Sequence, residues 1–283
     1  MRLQGIIKIV VTLIVSFFMI AIVAGGEIAT IAMVLILLYA WLGEYLSLLC
    51  DGAISSKNLN DYEREKLERI KKVVAKEVKK VSGEDISNLK LHIVPSNQIN
   101  AIAYGFDNVS FTRNALASCD EMTLCSILGH EVSHILSLDA VFNRIIFGDI
   151  TLVIIVLMLM SSITVIGIWL ILIILFCIGI CRSAISVVIT SGLSNITKTL
   201  FEAAQHGVLF VYQVVMGFVS RSAEYRADQY SVELGYGTQL EYFLDRFVDD
   251  GEYRKKSLRE ILYAPHPATY NRIQKIRQLN KIE

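Results

Sequence analysis

The sequence predicts a mainly α-helical membrane protein with a small β-sheet and two transmembrane hairpins. Three observations carry that expectation. The chain of 283 residues is 54% apolar and only 19% charged, whereas average soluble proteins run about 45–50% apolar and ~25% charged. Long apolar stretches near the N-terminus and in the middle reach the ~20 residues a bilayer span needs. Between them lies a charged segment with its own helix and strand periodicities. The formal net charge is zero, which argues against a nucleic-acid partner, and three prolines in all leave little scope for long linkers.

Residues 6–24, "IIKIVVTLIVSFFMIAIVA", form the first expected span, with Lys8 near its start, and residues 28–50 form the second. The link "GGE", Gly25 to Glu27, is short enough for a tight helical hairpin over residues 1–50. A cleavable signal peptide is the rival reading, because Ala24 and Gly25 are small. The apolar region is long for that and a second span follows at once, so the stretch reads as a retained anchor.

Residues 51–144 read as the first part of a cytoplasmic domain. In "NDYEREKLERIKKVVAKEVKKV", Leu67, Ile70, Val74, Val78 and Val81 recur every three or four residues, the mark of an amphipathic helix. "LKLHIV", "INAIAYG" and "VSFT" read as short strands. "SCDEMTLCSILGHEVSHILSLDAV" reads as a helix, with Ser118 and Glu121 spaced as a capping box. Residues 145–182 hold the longest apolar run, bracketed by Arg144 and Arg182. One straight helix there would be about 55 Å long, nearly twice a ~30 Å hydrocarbon core. A second hairpin turning near Ser161-Ser162 is therefore expected. Residues 183–283 complete the domain. Lys198, Glu202 and His206 make the 193–219 region a poor span, so it reads as packed on the domain or lying at the interface. Glu44 and Asp149 read as interfacial acids near span ends. The five cysteines, Cys50, Cys119, Cys125, Cys177 and Cys181, read as reduced, buried thiols.

The chemistry concentrates in "GHEVSH", Gly129 to His134. On a helix, residues four apart share a face, so His130 and His134 can present two imidazole nitrogens to one ion. Glu131 is rotated by about 100°; it flanks the ion and can accept a proton from the attacking water. With five histidines in the chain, His-Glu-x-x-His arises by chance only about 0.005 times per such sequence. A third ligand must come from elsewhere. "SRSAEYRAD" offers Glu224 and, one turn later, Asp228. With Glu224 as ligand, Asp228 is free to accept the proton of a ligand histidine's other nitrogen. Two histidines, one carboxylate and a water form a known catalytic zinc set. Glu224 and His130 must then share one side of the membrane, which requires an even number of crossings between them. The distribution of Lys and Arg places the N-terminus and the domain on the cytoplasmic side.

"GHEVSH", "SRSAEYRAD" and "HPATYNR" together resemble the HtpX-type integral-membrane zinc metalloproteases, relatives of the CAAX prenyl endopeptidases. The resemblance implies a gluzincin-like zinc protease domain between the two membrane hairpins. It implies one Zn2+ per chain on His130, His134 and Glu224, with Glu131 as general base. "INAIAYG" resembles the family's Asn-Ala-Phe-Ala strand, which lies along the substrate backbone; here it reads Asn100, Ala101, Ile102 and Ala103, with Ile102 replacing the aromatic residue. His266 and Arg272 match residues expected to steady the tetrahedral intermediate. The substrates implied are polypeptides, damaged or misassembled membrane proteins above all, cleaved at the inner face of the plasma membrane. No nucleotide-binding loop is present. The alternatives are a CAAX-type processing protease, for which the spans are too few, and a non-catalytic membrane scaffold or transporter.

Overall fold

The computed structural model describes residues 1–179, 184–248 and 267–281. Cys181, Arg182, His266 and the first half of "YAPHPATY" lie outside the described residues. Two compact units are formed, one by Met1–Ile146 with Met216–Glu283, the other by Phe147–Val215.

In the first unit, helices α1 (Arg2–Ala24) and α2 (Gly26–Cys50) are joined by Gly25 alone. The link is shorter than the expected "GGE" because Gly25, at φ 90°, reverses the chain by itself, a conformation open chiefly to glycine. Glu27 falls in the first turn of α2, where negative charge meets the positive end of the helix dipole. The buried side of α2 carries Ala29, Ala32, Ile36, Ala40, Gly43 and Glu44. Glu44 was expected at the interface. It is instead 2% exposed and accepts bonds from the Phe106 amide at 3.2 Å and the Asn108 side chain at 2.7 Å. A buried carboxylate needs such donors.

Helix α3 (Asp61–Ser82) follows the predicted pattern: Leu67, Ile70, Val74 and Val78 are buried. Val81, assigned to the same face, is 42% exposed, since it lies in the last turn before the left-handed Gly83 cap. Asn60 caps the start by accepting the Glu63 amide at 2.8 Å. The helix packs on α5 and shares one hydrophobic core with a four-stranded sheet in the order β1-β2-β4-β3, built from β1 (Ile54–Ser55), β2 (Lys90–Val94), β3 (Ala101–Ala103) and β4 (Asn108–Thr112). β2 and β4 are parallel, and the other two pairs are antiparallel. β3 is thus an edge strand.

After α4 (Arg113–Ser118) comes α5 (Glu121–Leu136), which carries the two histidines. Its cap is not Ser118. Cys119 is extended, and Asp120 accepts the Thr123 amide at 2.8 Å, a carboxylate being the stronger acceptor at a helix N-terminus. Leu138, at φ 54°, turns the chain sharply into α6 (Asp139–Cys177). The unit closes with the last part of α7 (Ala184–Glu233), α8 (Gly237–Phe247) and a further helix α9 (Thr269–Leu279).

The second unit is the apolar run. α6 spans Asp139–Cys177 and α7 spans Ala184–Glu233. The turn expected at Ser161-Ser162 does not occur. Ser162 satisfies its hydroxyl on the Met158 carbonyl at 2.9 Å, the usual accommodation of serine within a helix, so nothing there obliges a break. Lys198, Glu202 and His206 lie four apart on the exposed surface of α7, which is continuous through the region expected to be a poor span. Among the described residues, four helices are long and apolar enough to cross a membrane: α1, α2, α6 and α7. The thiols divide: Cys119 and Cys125 are buried, whereas Cys50 and Cys177 are exposed, because the last two sit on the outer surfaces of apolar helices.

Candidate metal centre

The centre is built on the C-terminal half of α5. Gly129 allows that helix to approach the end of α7 closely: a Cβ there would lie 3.0 Å from Leu234 Cδ1. The Ser231 hydroxyl donates to the Ser126 carbonyl at 2.9 Å and ties the two helices together. Across this contact, His130, His134 and Glu224 bring one donor atom each to within 4.8 Å of one another. The two Nε2 atoms are 3.2 Å apart. Glu224 lies 3.5 Å from His130 Nε2 and 3.8 Å from His134 Nε2.

Each imidazole has a carboxylate behind it. His134 Nδ1 is 3.0 Å from Asp139 Oδ2. His130 Nδ1 is 3.0 Å from Asp228 Oδ1, though off the line of a good hydrogen bond. As neutral rings with the proton on Nδ1, both would turn a bare Nε2 lone pair toward the other and toward Glu224. Three electron-rich donors facing one point, largely out of solvent, repel unless positive charge sits among them. Burial disfavours charge on His130, yet Asp228 and Glu224 outweigh it and hold the ring's pKa up at about 10. The cluster therefore attracts a cation, and a divalent ion satisfies it with both rings neutral. The donor set fits zinc.

Outside the donors lies a second set of charges. Arg272, on α9, forms a fork on Asp228 at 2.8 and 2.6 Å and reaches Glu224 Oε2 at 3.0 Å. Asp139 accepts from Lys8 Nζ at 2.9 Å and from Arg226. The sequence reading passed over Asp139, Arg226 and this use of Lys8. The available signals were an acid five residues past His134, an arginine inside "AEYRAD" and a lone charge in the first apolar run.

Glu131 is 9% exposed. Burial pushes its carboxyl up, while the two imidazoles and the Ala103 amide, which donates to it, pull the other way. A cleft of about 910 Å³ opens over these groups. One wall is residues 98–103, so Asn100, Ala101, Ile102 and Ala103 all line it. Phe243, Leu244 and Phe247 of α8 line it as well, as does Arg272. Asn100 is tied down by Thr112, whose amide donates to its carbonyl at 2.9 Å. His266 is outside the described residues, so its distance to the centre is not part of this geometry.

No curated protein sequence matches the chain. Among solved structures, the crystal structure of S. mikatae Ste24p is similar at 16% identity and a TM-score of 0.48, covering 95% of this chain and 67% of that one. The profile of Peptidase family M48 matches residues 62–280, well over half of the chain and inclusive of both halves of the metal centre. The chain belongs to peptidase family M48, a family of metallopeptidases.

Proposed function

We propose that the protein is a membrane-anchored zinc endopeptidase that hydrolyses peptide bonds of membrane proteins, misfolded or damaged ones in particular, at the cytoplasmic face of the plasma membrane. The observation that carries this reading is the convergence of His130, His134 and Glu224 beside a buried Glu131, at the base of a cleft bounded by an edge strand. His130, His134 and Glu224 would hold one Zn2+, which would supply Lewis acidity to the scissile carbonyl and to the attacking water.

The protein's own residues do the rest. A peptide entering in extended form pairs with the outer edge of β3, from Asn100 to Ala103, by β-augmentation. This fixes the scissile bond above Glu131. Glu131 takes the proton of the attacking water and returns it to the leaving amine; its burial raises the proton affinity that the first of these transfers needs. Asp139 and Asp228 hold the imidazoles in the tautomer that leaves Nε2 free. By resemblance, His266 and Arg272 steady the tetrahedral intermediate. The distances from Arg272 favour a further role, as a clamp that keeps Glu224 and Asp228 in place.

The test is Glu131→Gln in the purified full chain. The substitution should leave zinc content at about one ion per chain and lower casein hydrolysis by about 10²–10⁴-fold. Cleavage at the parent's rate would remove Glu131 from the mechanism. Glu224→Ala, quantified for zinc in parallel, should lose the metal. Sidedness is tested by Lys57→Cys in a chain whose native cysteines are replaced. An impermeant maleimide should label it in inverted vesicles and not in intact cells.

A further inference from the structure

Lys8 is the charged residue in a stretch of helix that is otherwise uncharged and mostly apolar from Ile6 to Ala24. As an anchor, α1 needs no lysine there, and ammonium groups are costly at membrane depth. Its position in the fold gives a reason for it. The first turns of α1 lie against the corner that follows α5: a Cβ on Gly5 would come within 2.5 Å of the Ser137 carbonyl oxygen. One turn further along the same face, Lys8 passes over the Phe142 ring, 4.3 Å from its centroid, and ends 2.9 Å from Asp139 Oδ1.

We propose that Lys8 is a positioning residue of the metal centre: from within the first apolar helix it fixes the Asp139 carboxylate that orients His134. Asp139 is 6% exposed, and its two oxygens are used differently. Oδ2 receives His134 Nδ1 and Arg226, whereas Oδ1 accepts from Lys8. Removing Lys8 takes away the donor to Oδ1 and lets the carboxylate swing about its bond to Cβ. The His134 ring then loses the fixed acceptor that holds its Nε2 toward His130 and Glu224. Arg226 cannot replace Lys8, since it approaches the oxygen already facing His134. The membrane hairpin is by this account a component of the proteolytic site as well as an anchor.

The inference rests on His134 being a metal ligand, and the experiment separates the two. Zinc affinity is measured by competition with a chromogenic chelator on the detergent-purified full chain carrying Glu131→Gln, which blocks self-cleavage. Lys8→Met, Lys8→Arg and the exposed control Lys57→Met are compared with that parent. Direct outer partners of ligand histidines contribute about 10–100-fold in metal affinity; one step further out, Lys8→Met should weaken zinc binding about 3–10-fold. Lys8→Arg should restore most of the loss, and Lys57→Met should match the parent. The metal-free unfolding temperature should stay level across the set. If Lys8→Met does not fold, Lys8→Ala, which also lacks the donor, is read the same way. Parent-like affinity in the neutral variant overturns the proposal, as does an arginine variant no better than methionine. A parent that takes up no zinc overturns the ligand assignment itself.

Discussion

In the first unit, Leu67 and Phe111 are wholly buried, whereas Ile163 and Val188 in the second are each 68% exposed. The polar groups differ just as sharply. Asp139, Asp228, Glu224 and Arg272 are buried and paired in the first unit, and Lys198, Glu202 and His206 stand exposed on α7. The same aliphatic residue types thus meet protein on one side and the outside medium on the other. An unbroken apolar surface is costly in water and expected in lipid, where the backbone satisfies itself within the helix. Burial therefore reports packing in the sheet and the helices around the metal centre, whereas the exposed apolar faces of Phe147–Val215, like those of α1 and α2, are surfaces suited to lipid, and a substitution should be read differently in each.

That contrast can be tested by substitution. The largest effect is expected in the core, where Leu67→Ala should cost about 2–5 kcal/mol, measured by denaturant unfolding in detergent. Next is Ile163→Lys, near the middle of α6, which should disfavour membrane insertion by about 2.5–3.5 kcal/mol, measured by the fraction resisting alkaline extraction. If that variant inserts as well as its parent, α6 does not cross lipid there. Asp228→Asn comes third: it weakens the Arg272 fork and the acceptor behind His130, and should lower zinc affinity by about 10–100-fold, read by chelator competition. The smallest effect belongs to Ile163→Ala, within about 0.5 kcal/mol, as for surface positions in general. A loss as large as that of Leu67→Ala would mean a packed interface at this site.

How far the molecule could be read from its sequence follows the range of the forces involved. The face of α3 is set by spacing within one helix, so Leu67 to Val78 were legible. The neighbourhood of His130 and His134 follows from the same 3.6-residue period. Three of the four strands, β2 to β4, were legible from their short apolar runs between turn residues, whereas β1, two residues long, leaves no pattern to read. Features settled by competition between close alternatives were not. Ser118 and Asp120 both qualify as caps, and the extended conformation of Cys119 decides between them. Hydropathy and length suggested a turn at Ser161-Ser162, but a serine bonded to its own helix needs none. Asp139 and Lys8 lie 131 positions apart, and no local pattern predicts their meeting. Glu44 likewise looked like an interfacial acid until the Phe106 amide and Asn108 were placed against it.

Leu138 shows what such long-range contacts do to the centre. A leucine at φ 54° holds a backbone shape disfavoured by roughly 1–2 kcal/mol, one residue ahead of Asp139. Glycine would adopt it freely, but would not fill the cluster where Leu138 meets Ile36, Ala40, Val141 and Ile145, with Ile9 and Leu13 alongside. Burying the side chain, at about 1.5–3 kcal/mol, outweighs the strain. The bend behaves like a sprung latch, kept shut by side chains of the two N-terminal helices. Loosen those helices and the latch relaxes, carrying with it the acid that steers one imidazole.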